Sequence, residues 1–231
     1  MTPRQGSEAE ALASYSEFYA THVGSMSAKL RFYMMVKRTL DIICSLLGLI
    51  VLSPLFIVLG ILIKLEDPKG KVFFYQTRVG KDEQTFRMYK FRSMVSDAEE
   101  RLKELLAQNE IQGAMFKMKN DPRITRIGRF IRKTSIDELP QLWNVLRGDM
   151  SLVGPRPPLP REVEEYSQRD KLRLSVTPGC TGLWQVSGRN ELSFEEMVDL
   201  DLHYIKKRGI LFDLFILLKT VKVLFGAKDA F

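Results

Sequence analysis

A stretch of 22 residues without a charged side chain, from Ile42 to Ile63, constrains the fold of this chain more than any other feature. A helix needs about 20 predominantly apolar residues to cross the hydrocarbon core of a bilayer. In length alone, the stretch therefore predicts either a transmembrane helix or a helix buried in a protein core.

Ser53 and Pro54 fall at the midpoint of this stretch. Proline lacks the backbone N–H and clashes with the carbonyl four residues earlier, that of Ile50, so we expect a kink. The Ser53 hydroxyl can satisfy a carbonyl that the kink frees. Both flanks are basic, so the positive-inside rule does not orient a span. A re-entrant helix and a straight span remain equal alternatives from the residues alone.

The rest of the chain predicts an α+β fold in which helices dominate and no dinucleotide-type βαβ series occurs. Aromatic-rich residues 72–76 and 84–92 flank a Gly-Lys-Asp turn signal and predict a small β-hairpin. Capping and periodicity predict further helices at 135–146, 161–173 and 193–207.

The domain organisation follows from these elements. We expect a polar leader at 1–28, a membrane segment at 29–66 and a catalytic domain at 67–231. The apolar residues 209–225 predict an amphipathic interfacial helix with lysines at headgroup level, or alternatively a terminal helix packed in the core.

Charge and cysteine content restrict the partners. The formal net charge of +7 suits an anionic partner, such as nucleic acid, an acidic membrane surface or a phosphate-bearing substrate. The long apolar stretch favours the last two over nucleic acid. Two distant cysteines and two histidines indicate neither a disulfide framework nor a zinc site. The chain is typical of one that faces a reducing cytoplasm.

The adjacent acids Asp137 and Glu138 are the strongest catalytic candidates. They follow a basic segment and open a predicted helix, and both features keep a carboxylate ionised, as a carboxylate nucleophile requires. The alternative is an ordinary capping box, Ser135-x-x-Glu138. Pro140 complicates that alternative, because it would be the fifth helical residue, and it is accommodated better if Asp137 is the cap.

Several cations are candidates for binding phosphate oxygens. Lys90 and Arg92 lie on the hairpin, where a solvated strand face is the alternative. Arg156 stands between prolines, which also suits a rigid turn or a polyproline ligand. Arg189 lies between Gly188 and Asn190, in a turn where backbone can approach a ligand. Together with the acid pair, these cations predict phosphoryl transfer from a diphosphate.

Four segments of the chain resemble one known family. They are KRTLDIICSLLGLIVLSPLF (37–56), YKFRSM (89–94), IRKTSIDELPQLWNVLRGDMSLVGPRP (131–157) and PGCTGLWQVSGRN (178–190). In this order they resemble the monotopic bacterial sugar transferases, which are polyprenyl-phosphate phosphoglycosyl transferases of the exopolysaccharide-initiating type. Members of the larger subclass carry extra transmembrane helices and a domain before this core. We therefore expect the chain to represent the minimal catalytic unit of the family, either as a protein of that size or as a part of a longer one.

The resemblance implies a role for each matching residue. Ser53 and Pro54 match the helix-breaking pair of a re-entrant membrane helix. Asp137 matches the nucleophile and Glu138 its acidic partner, which helps to hold Mg²⁺. The remaining matches are basic residues at the substrate site: Arg132 near the acid pair, Arg156 in the GPRP segment and Arg189 in the GRN segment.

The resemblance also implies a two-step reaction at the cytoplasmic face of a bacterial cell membrane. Asp137 would take a sugar phosphate from a UDP-sugar, galactose or glucose being favoured, with release of UMP. Undecaprenyl phosphate would then accept it. The oligomeric state stays open, with a homodimer among the alternatives. Two rival interpretations are a membrane enzyme that transfers directly, without a covalent intermediate, and a membrane-surface adaptor without catalysis.

Overall fold

The structure, a computed structural model, describes residues 27–98, 100, 101, 118, 121–188 and 191–226. Almost all of the predicted leader 1–28 lies outside these residues. Within them the fold is helix-dominated, as predicted, with two small two-stranded sheets, of which the sequence predicted the hairpin and not the second sheet. The chain divides into two compact units, which we describe separately. The first unit comprises the described parts of residues 1–49, 76–88 and 141–227, and the second those of 50–75 and 89–140.

The described elements are as follows. The helices are α1 (Ala28–Val51), α2 (Ser53–Glu66), α3 (Arg126–Lys133), α4 (Gln141–Arg147), α5 (Pro160–Glu164), α6 (Gln168–Lys171), α7 (Phe194–Lys207) and α8 (Ile210–Gly226). The strands are β1 (Phe73–Val79), β2 (Thr85–Phe91), β3 (Ser151–Val153) and β4 (Gly179–Thr181). Short 3₁₀ helices occur at Lys81–Glu83, Ile136–Glu138, Leu172–Ser175 and Trp184–Val186.

The long apolar stretch is broken where its sequence predicts. Helices α1 and α2 meet at Leu52 with a bend of 57°. The Ser53 hydroxyl donates to the Ile50 carbonyl oxygen at 2.7 Å, and Pro54 lies in the first turn of α2, where its missing N–H costs no helical hydrogen bond. Among the described helices none is by itself long and apolar enough to cross a membrane, although this bent pair meets that criterion jointly.

The second unit is built on α2. Its core is formed by Leu59 and Ile63 of α2, Phe91 of β2 and Ile131 of α3. The hairpin of β1 and β2 has the predicted turn between its strands, and that turn belongs to the first unit. The side chain of Glu66 accepts hydrogen bonds from the first backbone amides of α3 and so caps that helix. Helix α3 is thereby fixed against the end of the apolar segment.

The first unit contains a small parallel sheet and the two C-terminal helices. Strands β3 and β4 pair in register Ser151 with Gly179 and Val153 with Thr181. These strands have only three residues each, and the sequence did not predict them. Helix α7 begins as predicted, with the Ser193 hydroxyl accepting a hydrogen bond from the Glu196 amide. Its buried side chains pack with those of α8 and β3 in the largest core cluster of the described residues.

Helix α8 combines the two predicted alternatives: one face is packed in the core, and the opposite face exposes apolar side chains. Ile216 and Asp213 are buried, and Asp213 accepts hydrogen bonds from Tyr33, Lys37 and Tyr204 at 2.7–2.9 Å. The opposite face exposes apolar side chains, namely Leu211, Leu214, Phe215, Leu218 and Val221. The helix is therefore packed on one side and apolar towards its surroundings on the other.

Two predicted helices are wrong in their extent. The helix expected at 161–173 is divided into α5, α6 and the 3₁₀ helix Leu172–Ser175. The helix expected at 135–146 is a 3₁₀ helix followed by α4, because the ring of Pro140 excludes a continuous α-helix. Ser135 has a left-handed backbone (φ 55°) and makes no side-chain capping bond, so neither the capping box nor a cap at Asp137 is formed.

Candidate active site

The acid pair lies in the second unit, in the 3₁₀ helix Ile136–Glu138. The amide of Leu139 donates to the Ile136 carbonyl at 3.1 Å, and the amide of Glu138 to the Ser135 carbonyl at 3.2 Å. Ile136 packs against the core that α2 forms. With its apolar neighbour held in this way, the side chain of Asp137 is only 9% exposed.

A close approach of α3 to the end of β2 supplies the first cation of the site. A Cβ atom added to Gly128 would lie 1.9 Å from the Ser93 carbonyl oxygen, so only glycine fits there. One turn further along α3, the Arg132 Nε donates to the Ser93 hydroxyl at 2.8 Å. The guanidinium is thus fixed near the acid pair, where its charge acts on Asp137.

Lys90 of β2 supplies the second cation. Its Nζ lies 2.7 Å from Glu138 Oε1, and both side chains are largely buried. A charge-assisted hydrogen bond of this length orients Glu138 and places a positive charge beside the pair. The structure therefore brings four of the predicted residues together: Asp137, Glu138, Lys90 and Arg132.

Burial dominates the protonation of Asp137. Desolvation raises the pKa of its carboxyl group from 3.8 to about 6, against the charges of Lys90 and Arg132, which lower it; the neighbouring Glu138 raises it further. The sequence predicted that the surrounding cations keep Asp137 ionised. That prediction was incomplete, because burial has a larger effect on the pKa of Asp137 than the cations have. A pKa of about 6 still leaves roughly ten carboxylates for each protonated acid at pH 7.

Arg92 has a structural partner. Its Nη1 donates to Asp67 Oδ2 at 2.6 Å and its Nη2 to the Asp67 carbonyl oxygen at 2.8 Å. The same carboxylate accepts the amide of Ser96 at 2.7 Å. Arg92 thus ties β2 to the end of α2, and its binding of phosphate stays a prediction.

Two features of the site were missed in the sequence. Asp121 and Arg123 form a buried, doubly hydrogen-bonded ion pair immediately before α3, with Nη2 and Oδ2 at 2.7 Å. Hydrogen bonds and charge from Arg123 outweigh burial and lower the pKa of Asp121. The Asp-Pro-Arg spacing was the available signal for this pair. Ser93, which holds Arg132, gave no comparable signal.

The other two predicted cations lie outside the described part of the second unit. Arg156 is half-buried in the loop that follows β3, in the first unit. Arg189 lies outside the described residues. Substrate binding by either arginine stays a prediction.

The acid pair has the donor chemistry that magnesium prefers. Mg²⁺ commonly takes one or two protein carboxylates and completes its shell with water and substrate phosphate oxygens. Two adjacent carboxylates, Asp137 and Glu138, meet that requirement. Throughout the described ranges no group of three or more His, Cys, Asp or Glu residues is suited to a metal, so a cage made of protein ligands alone is not available there.

Comparison with known proteins gives a consistent result. The model of the family described as bacterial sugar transferase matches residues 32–227. The chain is 48% identical over 216 residues to galactosyl transferase CpsE of Streptococcus agalactiae and 50% identical over 200 residues to undecaprenyl-phosphate galactose phosphotransferase of Salmonella typhimurium. These matches cover 92% and 85% of the chain but 48% and 42% of the relatives, so the chain spans less than half of their length.

A shorter relative is matched over most of its length. The exopolysaccharide production protein ExoY of Sinorhizobium fredii is 42% identical over 189 residues, which are 80% of this chain and 83% of that protein. The match to this relative therefore covers most of its length.

Proposed function

The chain belongs to the bacterial sugar transferase family, and we propose that it transfers a hexose phosphate from a UDP-sugar to undecaprenyl phosphate through a covalent intermediate on Asp137. The observation that carries this proposal is the buried carboxylate of Asp137 between the charges of Lys90 and Arg132. A desolvated carboxylate that is ionised at neutral pH needs no base to attack a phosphorus atom. The names of two relatives point to galactose first. A third relative, of Komagataeibacter xylinus, is named undecaprenyl-phosphate glucose phosphotransferase, which makes glucose the second candidate.

The first step forms the intermediate. A carboxylate oxygen of Asp137 attacks the β-phosphorus of the UDP-sugar, and the bond from that phosphorus to the bridging oxygen breaks. The bond electrons leave on the α-phosphate of UMP, and the sugar phosphate remains on Asp137 as an acyl phosphate. Lys90 and Arg132 place positive charge where the leaving phosphate becomes more negative.

The second step regenerates the carboxylate. A phosphate oxygen of undecaprenyl phosphate attacks the phosphorus of the acyl phosphate, and the oxygen of Asp137 is expelled with its electrons. The product is a lipid diphosphate sugar. Mg²⁺ held partly by Glu138 would supply further neutralisation of the diphosphate charge.

Incubation with a UDP-sugar in the absence of lipid tests this order of events. We expect UMP release up to one equivalent of protein, followed by steady turnover only when undecaprenyl phosphate is added. UDP-galactose, UDP-glucose and a UDP-N-acetylhexosamine should be compared in the same assay. If no UMP appeared until lipid was present, direct transfer would be favoured.

The pKa of Asp137 predicts the acid limb of the pH profile. Attack requires the carboxylate, so kcat/KM should rise with pH through an apparent pKa of about 6 rather than near 4. Lys90→Met removes the largest influence that lowers this pKa and also removes the ion pair between Lys90 and Glu138. The limb should therefore move to higher pH in Lys90→Met and stay in place in Lys90→Arg. Identical profiles for the two variants would contradict this electrostatic role of Lys90.

We also propose that α1 and α2 enter the bilayer and leave it by the same, cytoplasmic face. The support is the bend at Ser53-Pro54 and a large exposed apolar surface on both helices. The exposed side chains are Phe32, Met35, Leu40, Ile42, Ile43, Leu46, Leu47, Ile50 and Val51 on α1 and Ile57, Val58, Ile61, Leu62 and Leu65 on α2. Burial of such a surface in hydrocarbon is strongly favourable.

Pro54→Ala tests the topology of this segment. Alanine restores the N–H and removes the ring clash, so a fraction of the molecules should form one straight spanning helix. Tags at both termini of the wild-type chain should be labelled from the same side of a sealed vesicle, and tags on the variant from opposite sides in part. Pro68→Ala, in the exposed turn after α2, is the control and should label like the wild type. Opposite labelling of the wild-type termini would contradict re-entry.

A further inference from the structure

Helix α3 has two chemically different faces. Gly128 and Ile131 are buried against the rest of the second unit. The opposite face, which we call the basic face, consists of Arg126, Arg129, Phe130 and Lys133, all exposed. Phe130 is 55% exposed although three cations surround it. More than half of the surface of Phe130 is therefore not used in the packing of the unit.

The three cations of the basic face outnumber the acid that lies beside them, Glu66, whose carboxylate accepts the amides of Arg126 and Ile127. Among the described residues, none of its three cations forms an ion pair. Three acids of the same unit, Asp67, Asp121 and Glu138, are already ion-paired with other cations. The face therefore carries a surplus of positive charge, which favours an anionic partner.

The position of the basic face follows from the end of α2. The carboxylate of Glu66, the last residue of α2, accepts the amide hydrogens of Arg126 and Ile127 at 2.7 and 3.0 Å. Helix α3 therefore starts where the apolar segment ends. Exposed Lys64 and Lys69 lie at the same end of α2. Where a membrane segment emerges from the hydrocarbon, its neighbours lie at the level of the lipid headgroups.

We propose that the basic face of α3 binds the phosphate headgroups of anionic membrane lipids, with the Phe130 ring inserted among the upper acyl chains. This inference rests on the proposed membrane insertion of α1 and α2. A combination of Lys or Arg with an aromatic side chain on one helical face is typical of helices that lie in the membrane interface. The contact holds the helix that carries Arg132, and so the acid pair next to it, at the membrane surface where a lipid phosphate arrives.

Quenching by brominated lipids tests the contact in the whole protein. Phe130→Trp places a fluorescent reporter on the face, and its emission is obtained by subtracting the spectrum of the unsubstituted protein. In phosphatidylcholine nanodiscs, brominated phosphatidylglycerol should quench this emission more strongly than the same fraction of brominated phosphatidylcholine. High salt should reduce the difference, because the attraction is electrostatic.

Removal of the cations gives the decisive comparison. Arg126→Gln, Arg129→Gln and Lys133→Gln together should lower the apparent affinity of the face for phosphatidylglycerol roughly 100-fold, at about fivefold for each cation. A control that removes three exposed cations elsewhere, Lys81→Gln, Arg161→Gln and Lys207→Gln, should leave the quenching unchanged.

Two results would overturn the proposal. One is equal quenching of the reporter by both brominated lipids in a protein that still releases UMP, which would leave the transferase function standing. The other is a triple variant that keeps its preference for phosphatidylglycerol but shows a raised KM for UDP-galactose in detergent without anionic lipid. That result would assign the face to the nucleotide substrate instead.

Discussion

Asp137→Asn is expected to abolish transfer, with kcat falling by a factor on the order of 10⁴ or more, because the amide cannot act as the nucleophile. The change is nearly isosteric, so the loss should not come from unfolding. The native carboxyl has a pKa raised to about 6, so its ionised form destabilises the folded state at every pH above that value. Asparagine removes this cost, and the variant should be more stable than the wild type at pH 7 by about 1–3 kcal/mol.

Turnover and denaturant unfolding should be measured on the same preparations of this variant. The matched control is Asp149→Asn, since Asp149 is an acid of the first unit that pairs with Arg147 at 3.3 Å. The control should retain activity. An Asp137→Asn protein that kept wild-type turnover would show that another group attacks the phosphorus. Retained turnover would also support the rival interpretations of the chain as a direct transferase or an adaptor.

Gly128→Ala is expected to have the largest effect on stability and to reduce activity with it. The new methyl group would lie 1.9 Å from the Ser93 carbonyl oxygen, which is backbone and cannot rotate away. Overpacking of this kind costs about 3 kcal/mol, whereas alanine in a free helix position gains about 1 kcal/mol over glycine. Any displacement of α3 from Ser93 also moves Arg132, so kcat/KM should fall even in the molecules that remain folded.

Gly60→Ala is the matched control for this substitution. Gly60 is also helical, but a Cβ there meets only the Val72 side chain, Cγ1 at 3.6 Å and Cγ2 at 3.9 Å, which are ordinary contacts. The control should therefore be as stable as the wild type or more so in thermal unfolding, and fully active. Equal stability of both alanine variants would show that α3 does not approach Ser93 as closely as the structure indicates.

The sequence predicted those parts of the fold that depend on local chemistry. The break at Ser53-Pro54, the hairpin turn after β1 and the Ser193 cap of α7 each follow from the properties of a few adjacent residues. The parallel pair of β3 and β4 could not be predicted in this way. Each strand has three residues, and their pairing joins segments that are far apart in the chain.

The acid pair shows the same difference between what adjacent residues predict and what distant contacts determine. Its residues were identified from their pattern, but their surroundings depend on distant contacts. Burial raises the pKa of Asp137, and its neighbour Ile136 packs on the core that α2 forms; no local pattern indicates either feature. Similarly, Lys90 lies near the end of β2 and Arg92 directly after it, yet Arg92 pairs with Asp67 whereas Lys90 pairs with Glu138.

Peptide mapping of the covalent intermediate tests the central claim most directly. The wild-type protein should be incubated with UDP-galactose without lipid, quenched rapidly and digested, and the peptide that contains residue 137 analysed by mass spectrometry. We predict that this peptide gains the mass of one hexose phosphate on Asp137, and that the gain disappears when undecaprenyl phosphate is added. An adduct on a different residue, or UMP release with no adduct on any peptide, would contradict the account.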